Sequence, residues 1–502
     1  MPFPVMGPEY LTTASEVATM DFVRTELGLP APEVLAWSSD KTKTDVNAEF
    51  IMYEKVGGRP LQSVWSETSF TTDKYANTFF AATFSHQHYA LCSRFFSQIG
   101  SLYYKEDVSE ELRQRPLYDS TRTPETPNSS RFRIGPTIER DFYRGGRASL
   151  QIDRGPCKFS VNQLHPCSIS NGYPGTSAHE YFRAHSSCER ACILSQPKSF
   201  PSSQRRELLD LLNKFDEVVP ALVPDDSSAT VILAHPDLHA DNLLVSDPTD
   251  TSKESIDVDI TAWLDWQGAT IRPYYLQMPE EPPLFRYSSN PYVNYPSESG
   301  GPEYTKGFSN PDLDPVEKKL ARKAFQQAER HRSFCSTLKD MNPILNNILA
   351  KAPVWKHTHT LARDIMAITT GDAAIPKLSL IRAVEDWNAL PNVEVDEETG
   401  EAIEKCPVQF SAEEREACFD EMDMLLKAGL LQVAVSRALG ISENSDGFVK
   451  GSEAQLLEVR KKGEDLLRSY LDGSESDEER EWYEKTWPYQ DGLLSMNAES
   501  CY

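Results

Sequence analysis

The chain has 502 residues, 39% hydrophobic and 10% aromatic, with a formal charge of −25 from 76 acidic against 51 basic side chains. That length exceeds one compact core and points to two or three domain-sized units, and the composition is that of a folded protein rather than a disordered one. The acidic field repels phosphate backbones and anionic surfaces, which disfavours a nucleic-acid or lipid-surface partner, while nine scattered cysteines without a Cys-x-x-Cys pair read as reduced thiols.

The opening MPFPVMGPEY carries no basic, apolar or Arg/Ser-rich leader signature, so on this start alone the expected location is the cytosol. No stretch reaches the roughly 18 apolar residues of a membrane span. Thr13-Ala14-Ser15-Glu16 has the form of a capping box and predicts a helix over 13–27, stopped by Gly28 and Pro30. Strand-like runs follow over 33–37 and 49–56, separated by a polar turn. Gly57-Gly58-Arg59-Pro60 breaks the second, and 61–65 begins a helix. Residues 71–100 read as mostly helical and rich in aromatics. The stretch 105–130, charged and then Ser/Thr/Pro-rich, reads as a surface insertion.

An amphipathic helix is expected over 204–215. Apolar runs at 229–233, 243–245 and 260–266 then give strand, loop, strand, turn, strand, with the polar residues at the junctions. Residues 279–315 are a Pro/Ser/Gly-rich loop. Helices are expected at 316–340, 357–370, 376–390, 411–439 and 453–471. The acidic segment 395–405 and the tail beyond Gly473 are expected to be solvated and partly disordered.

The chemistry concentrates in His235-Pro236-Asp237-Leu238-His239-Ala240-Asp241-Asn242. His235, Asp237 and Asn242 fit H-x-D-x-x-x-x-N, in which the aspartate accepts a substrate hydroxyl proton and the asparagine holds magnesium. The spacing has a physical reason. An aspartate at the loop's start can face the attacking hydroxyl, and an asparagine five residues on returns to the metal that offsets charge on the transferred group. Asp265 follows 23 residues later, at the end of an apolar run, where a carboxylate can take a second metal-binding role. His239 is read as a brace for the loop. A different reading keeps His235, Asp237, His239 and Asp241 as alternating ligands of a metal hydrolase, which requires the segment to be a strand.

These features resemble the aminoglycoside phosphotransferase and choline kinase branch of the kinase-like superfamily, whose loop reads H-x-D-x-H-x-x-N. Within that branch the chain resembles the fungal group around altered inheritance of mitochondria protein 9. The resemblance is carried by TTASEVATMDFVRTELGLPAPEVLAW, FIMYEKVGGRPLQSVW, GSLYYKED, IGPTIERDFYRG, HPDLHADNLLV and WLDWQGA, in that order. It implies an α+β, bilobal kinase-like fold, with a shortened N-lobe over 1–65 and a C-lobe over 66–290 that carries an insertion near 105–200. A helical extension with an acidic tail would occupy 291–502. It further implies ATP and Mg2+ as cofactors, Asp237 as base together with His235, and Asn242 and Asp265 as metal ligands. Glu16 would be the helix glutamate that pairs with the ATP-binding lysine, and Met52, Glu54 and Val56 would form the strand against which adenine rests. The acceptor would be a small-molecule or protein hydroxyl, and the location mitochondrial.

Two departures stand against that pattern. Neither the Gly-rich phosphate loop nor the strand lysine is found before Glu16, since the first lysine is Lys41; the resemblance would set both upstream of Met1. Residues 157–175 interrupt an otherwise continuous match, as a retained short intron or a variable loop would. The expected function is therefore a phosphotransferase impaired in this chain, or a catalytically inactive protein that binds a partner through its C-terminal helices.

Overall fold

A computed structural model describes residues 8–65, 74–144, 146–150, 152, 177–224, 230–246, 259–277, 285–295, 301–305, 314–369, 373–441 and 453–488. Among these the fold is α+β, with small antiparallel sheets set among helices. The 157–175 interruption lies outside the described residues, as do 279–284, 296–300 and 306–313 of the expected 279–315 loop.

Helix α1 (Leu11–Thr25) is followed by the antiparallel pair β1 (Val34–Ser38) and β2 (Phe50–Tyr53). The capping-box expectation for α1 is corrected. The helix begins two residues before Thr13, because Glu49 supplies its N-terminal acceptor from across the chain: Tyr10 N–H donates to Oε1 at 3.1 Å and the Thr13 hydroxyl to Oε2 at 2.6 Å. Glu16 is thereby left inside the helix, free of any capping role. Further along α1, Asp21 accepts from the Tyr104 hydroxyl at 2.7 Å and pairs with Arg131, while Glu26 accepts from the Thr126 hydroxyl at 2.6 Å. The 105–130 stretch is therefore more than a surface insertion. Leu117 and Tyr118 within it are fully buried, and the segment packs back onto α1.

The chain next crosses to the strands around the 235–242 loop through β3 (Arg59–Pro60), which pairs with β7 (Leu243–Val245) in the three-stranded order β3-β7-β8, with β8 spanning Ile260–Trp263. Gly58 makes this crossing possible. It has φ +120°, and a Cβ there would lie 2.6 Å from Thr261 Oγ1 and 2.7 Å from Val245 O. Helix α2 (Lys74–Cys92), the β4–β5 pair (Ser101–Tyr104 with Phe132–Gly135), and helices α3 (Ala178–Ser195) and α4 (Ser202–Leu222) build the wall of the core. In α4, Leu208, Leu211, Leu212, Phe215, Val218, Val219 and Leu222 recur at helical spacing and are buried. Strand β6 (Val231–Ala234) pairs with β9 (Thr270–Pro273), so the polar loop after β6 is launched from a wholly buried strand.

The C-terminal helices are α5 (Pro315–Met341), α6 (Pro343–Ala350), α7 (Ala352–Asp364), α8 (Ala374–Glu385), α9 (Ala412–Leu439), α10 (Glu453–Asp472) and α11 (Asp477–Thr486). Of the acidic tail, expected to be solvated and partly disordered, residues 474–488 are described and hold a largely exposed helix, while 489–502 lie outside the described residues. Ser476 caps α11 by accepting from Glu479 N–H, and the buried Trp487 packs with Leu431, Val435 and Leu439 of α9. Segment 395–405 is exposed but turned on itself, with Asp396 accepting from the backbone N–H groups of Glu398 and Thr399.

One buried ion pair joins the core to this extension. The Arg147 guanidinium pairs with Glu189 of α3, both essentially without solvent contact, and also donates to Met366 O at 2.7 Å. Glu189 in turn accepts from Thr369 N–H at 2.7 Å. Removing one partner of such a pair strands a charge. Arg147→Ala should lower unfolding stability by about 3–5 kcal/mol, read as a lower urea midpoint at unchanged slope.

Candidate functional site

The 235–242 loop is not a strand. From β6 the chain bends at Pro236 and tightens into a single 3-10 turn, Ala240–Asn242, capped by His239 Nδ1, which accepts from Asp241 N–H at 3.1 Å. The alternating-ligand reading therefore loses its geometry. Among the described residues no group of three or more His, Cys, Asp or Glu side chains is gathered to hold a metal ion.

His235 is buried with both ring nitrogens engaged. Nδ1 accepts from Asp237 N–H at 3.2 Å, which leaves the proton on Nε2 to donate to Leu264 O at 2.8 Å. Its ring packs 4.6 Å from Trp266, and Trp266 stacks on Trp263. Burial pulls its pKa down to about 4, the Leu264 hydrogen bond opposing. A neutral, doubly bonded imidazole positions its neighbours and is not built to carry a proton to substrate.

Asp237 is exposed, yet its backbone is held at both ends. Its carbonyl accepts from the Asn242 side-chain amide at 2.8 Å and from His239 N–H at 3.1 Å, and His239 Nε2 stands 3.4 Å from its carboxylate. The Asn242 amide nitrogen is thus committed to the loop, and its Oδ1 has no protein partner among the described residues. Leu264 N–H donates to Asn242 O at 2.8 Å, so the two strands β7 and β8 deliver Asn242 and Asp265 to the same end of one hairpin. Asp265 is exposed at φ +60°, a left-handed conformation that costs a non-glycine residue on the order of 1–3 kcal/mol. An oxygen-only pair of this kind, an unpartnered amide oxygen and an exposed carboxylate, fits a magnesium ion.

The nucleotide side fits less well. Among the described residues Glu16 has no cation partner. Its pKa is pushed up to about 7, first by burial and then by the nearby Asp265 carboxylate. The expected adenine strand is β2 and its continuation. Met52 is more than half exposed and Val56 is half-buried. The Glu54 N–H already donates to Glu33 O at 2.9 Å, and the Glu54 carboxylate accepts from Glu33 N–H and from Arg24. Glu54 therefore closes the β1–β2 pair. Leu264 was not legible as a site residue, because it acts through backbone atoms that every residue carries. A groove of about 880 Å3 lies elsewhere, between α4, α9 and α11, and none of its lining residues belongs to the loop.

The chain is 28% identical, over 98% of its length, to a subtelomeric hrmA-associated cluster protein of Aspergillus fumigatus, covering 91% of that protein. It is also 28% identical over 277 residues to the mitochondrial altered inheritance of mitochondria protein 9 of Candida albicans, and 27% identical over 291 residues to that of Komagataella phaffii. Those alignments take in 52% and 55% of this chain but only 41% and 43% of the relatives. No family model matches the chain, and no solved structure matches it. The chain is similar to the fungal altered inheritance of mitochondria group.

Glu16 sets a pH dependence. The folded chain holds its proton up to about pH 7, whereas an unfolded glutamate releases it near 4.5. The native state then binds more protons, so stability falls as pH rises through that window and levels off above it. The loss is at most about 3 kcal/mol, less where solvent reaches the carboxyl edge. Glu16→Gln should flatten the dependence and raise the melting temperature at pH 8 relative to the unsubstituted chain, while leaving it nearly unchanged at pH 5.

Proposed function

We propose that this chain is a kinase-like phosphotransferase of the aminoglycoside phosphotransferase type, acting on a hydroxyl acceptor. The observation that carries the reading is the joint fixing of Asp237, Asn242 and Asp265 by the His235 ring and the Leu264 backbone. Asp237 presents a solvent-facing carboxylate on a braced backbone, able to orient an acceptor hydroxyl and take its proton. Asn242 Oδ1 and Asp265 are the residues that would hold magnesium, which supplies charge neutralisation at the phosphoryl oxygens when bound. His235 and His239 keep the loop in register through their hydrogen bonds. The mitochondrial names of the Candida and Komagataella relatives support a mitochondrial location for this chain as well.

A second reading has its own observation. Glu16 has no cation among the described residues, and Glu54 spends its amide on β1. A protein that keeps the loop without gripping nucleotide would serve as a catalytically inactive binding partner.

Calorimetric titration with magnesium-ATP separates the two. On the first reading the chain binds, Asp265→Ala and Asn242→Ala each weaken binding by about tenfold or more, and Asp237→Ala leaves binding within about threefold while losing transfer. Absence of heat and of magnesium dependence in the unsubstituted chain would overturn the first reading in favour of the second.

A further inference from the structure

Helix α1 contains Glu16 and Asp21 and is closed by Glu26. The last two have an arginine each: Asp21 pairs with Arg131, and Glu26 stands 3.7 Å from Arg94. Glu16 has no such cation among the described residues. The charge that acts on it is the Asp265 carboxylate, of its own sign. Like charges held near each other in a half-buried place, with no cation between them, are an electrostatic deficit.

The fold keeps the two groups in that relation. Trp263 N–H donates to Pro30 O, and the next amide, Leu264 N–H, donates to Asn242 O, both at 2.8 Å. Two consecutive residues therefore fasten the segment leaving α1 and the end of the loop, and Asp265 follows directly. Ala18, Phe22 and Val23 of α1 share one buried core with Trp263 and Leu243. Asn242 completes the set. It is only 9% exposed and its amide nitrogen is committed to Asp237 O, so Oδ1 is left without a donor among the described residues. A side-chain oxygen on a residue that deeply buried calls for a cation or a water in front of it.

All three groups offer hard oxygen. Sulfur and imidazole are absent from the set, since both nitrogens of His235 are engaged elsewhere. Two carboxylates and an amide oxygen, with the remaining positions left to water, suit magnesium or manganese rather than zinc.

We propose that Glu16 is a third ligand of the divalent cation held by Asn242 Oδ1 and Asp265, and not the partner of a lysine. The proposal rests on the reading of those two residues as cation ligands. Glu16 brings α1 into the site, so one ion joins the helix, the loop and the hairpin end. Occupancy relieves the like-charge pair, and metal binding thereby stabilises the folded chain.

The test uses manganese alone, without nucleotide, on the full chain at pH 8, with free ion read by electron paramagnetic resonance. The unsubstituted chain should bind one Mn2+ that excess Mg2+ displaces. Glu16→Gln and Asp265→Asn should each weaken binding by about tenfold or more. Asp21→Asn, the same loss of charge on the same helix, should leave affinity within about twofold. Melting curves with and without the ion give a second readout: Mn2+ should raise the melting temperature of the unsubstituted chain and of Asp21→Asn, but hardly that of Glu16→Gln. Glu16→Gln binding as tightly as the unsubstituted chain, while Asp265→Asn loses the ion, overturns the proposal and leaves the reading of Asn242 and Asp265 standing. Equal losses in Glu16→Gln and Asp21→Asn overturn it too, because net charge then explains both. No Mn2+ binding by the unsubstituted chain also overturns it, whereas the phosphotransferase reading is decided separately by the magnesium-ATP titration.

Discussion

The candidate site depends on the backbone of one residue, Leu264, through the two peptide groups that flank its Cα. Its carbonyl accepts the His235 ring proton and its amide donates to Asn242 O, so a single residue between β8 and Asp265 holds both ends of the loop. Beneath it lie Trp263 and Trp266, both wholly buried, with Phe84 of α2 stacked on Trp263 at 5.6 Å. The polar geometry above is thus bolted to an aromatic floor. Rigid packing below fixes the backbone, and the backbone fixes which oxygens face solvent. The left-handed Asp265 is tolerable in this setting because the residues on both sides of it are anchored.

The same logic separates two kinds of histidine in one loop. His235 is sealed and neutral, with each nitrogen committed, whereas His239 is partly exposed and contributes a cap and a contact to Asp237. The sequence reading set His235 beside Asp237 as catalytic and His239 apart as the brace, whereas in the structure both histidines hold the loop by hydrogen bonds. Burial makes the difference, because an imidazolium without water or a close anion is costly.

Much of this was legible in the sequence. Helices α5, α9 and α10 fall within a residue of the expected 316–340, 411–439 and 453–471, whereas α7 begins five residues before the expected 357–370 and α6 and α11 were not expected at all. The loop chemistry stood out because metal and proton transfer require particular side chains at fixed spacing. What was not legible came from long-range contacts. The Thr13–Glu16 capping box failed because Glu49, 36 residues from Thr13, supplies the acceptor instead. The acidic tail looked solvated by composition, yet Tyr470, Trp482, Tyr483 and Trp487 pack around α9 and order it. The 105–130 stretch looked like surface because polar residues within it, Tyr118, Thr126 and Asn128, are partners of Glu26 and of the Thr25 carbonyl, and that pairing is invisible until α1 is in place. Leu264 left no trace at all.

The Glu49 contact also bears on the order in which the molecule assembles. A helix capped by its own residues can complete its first turn as soon as it nucleates. Here the opening turn of α1 waits on the Glu49 carboxylate, one residue before β2, and the intervening loop must close before that turn gains its acceptors. The start of α1 and the β1–β2 hairpin therefore form one cooperative unit that arrives, and is lost, together.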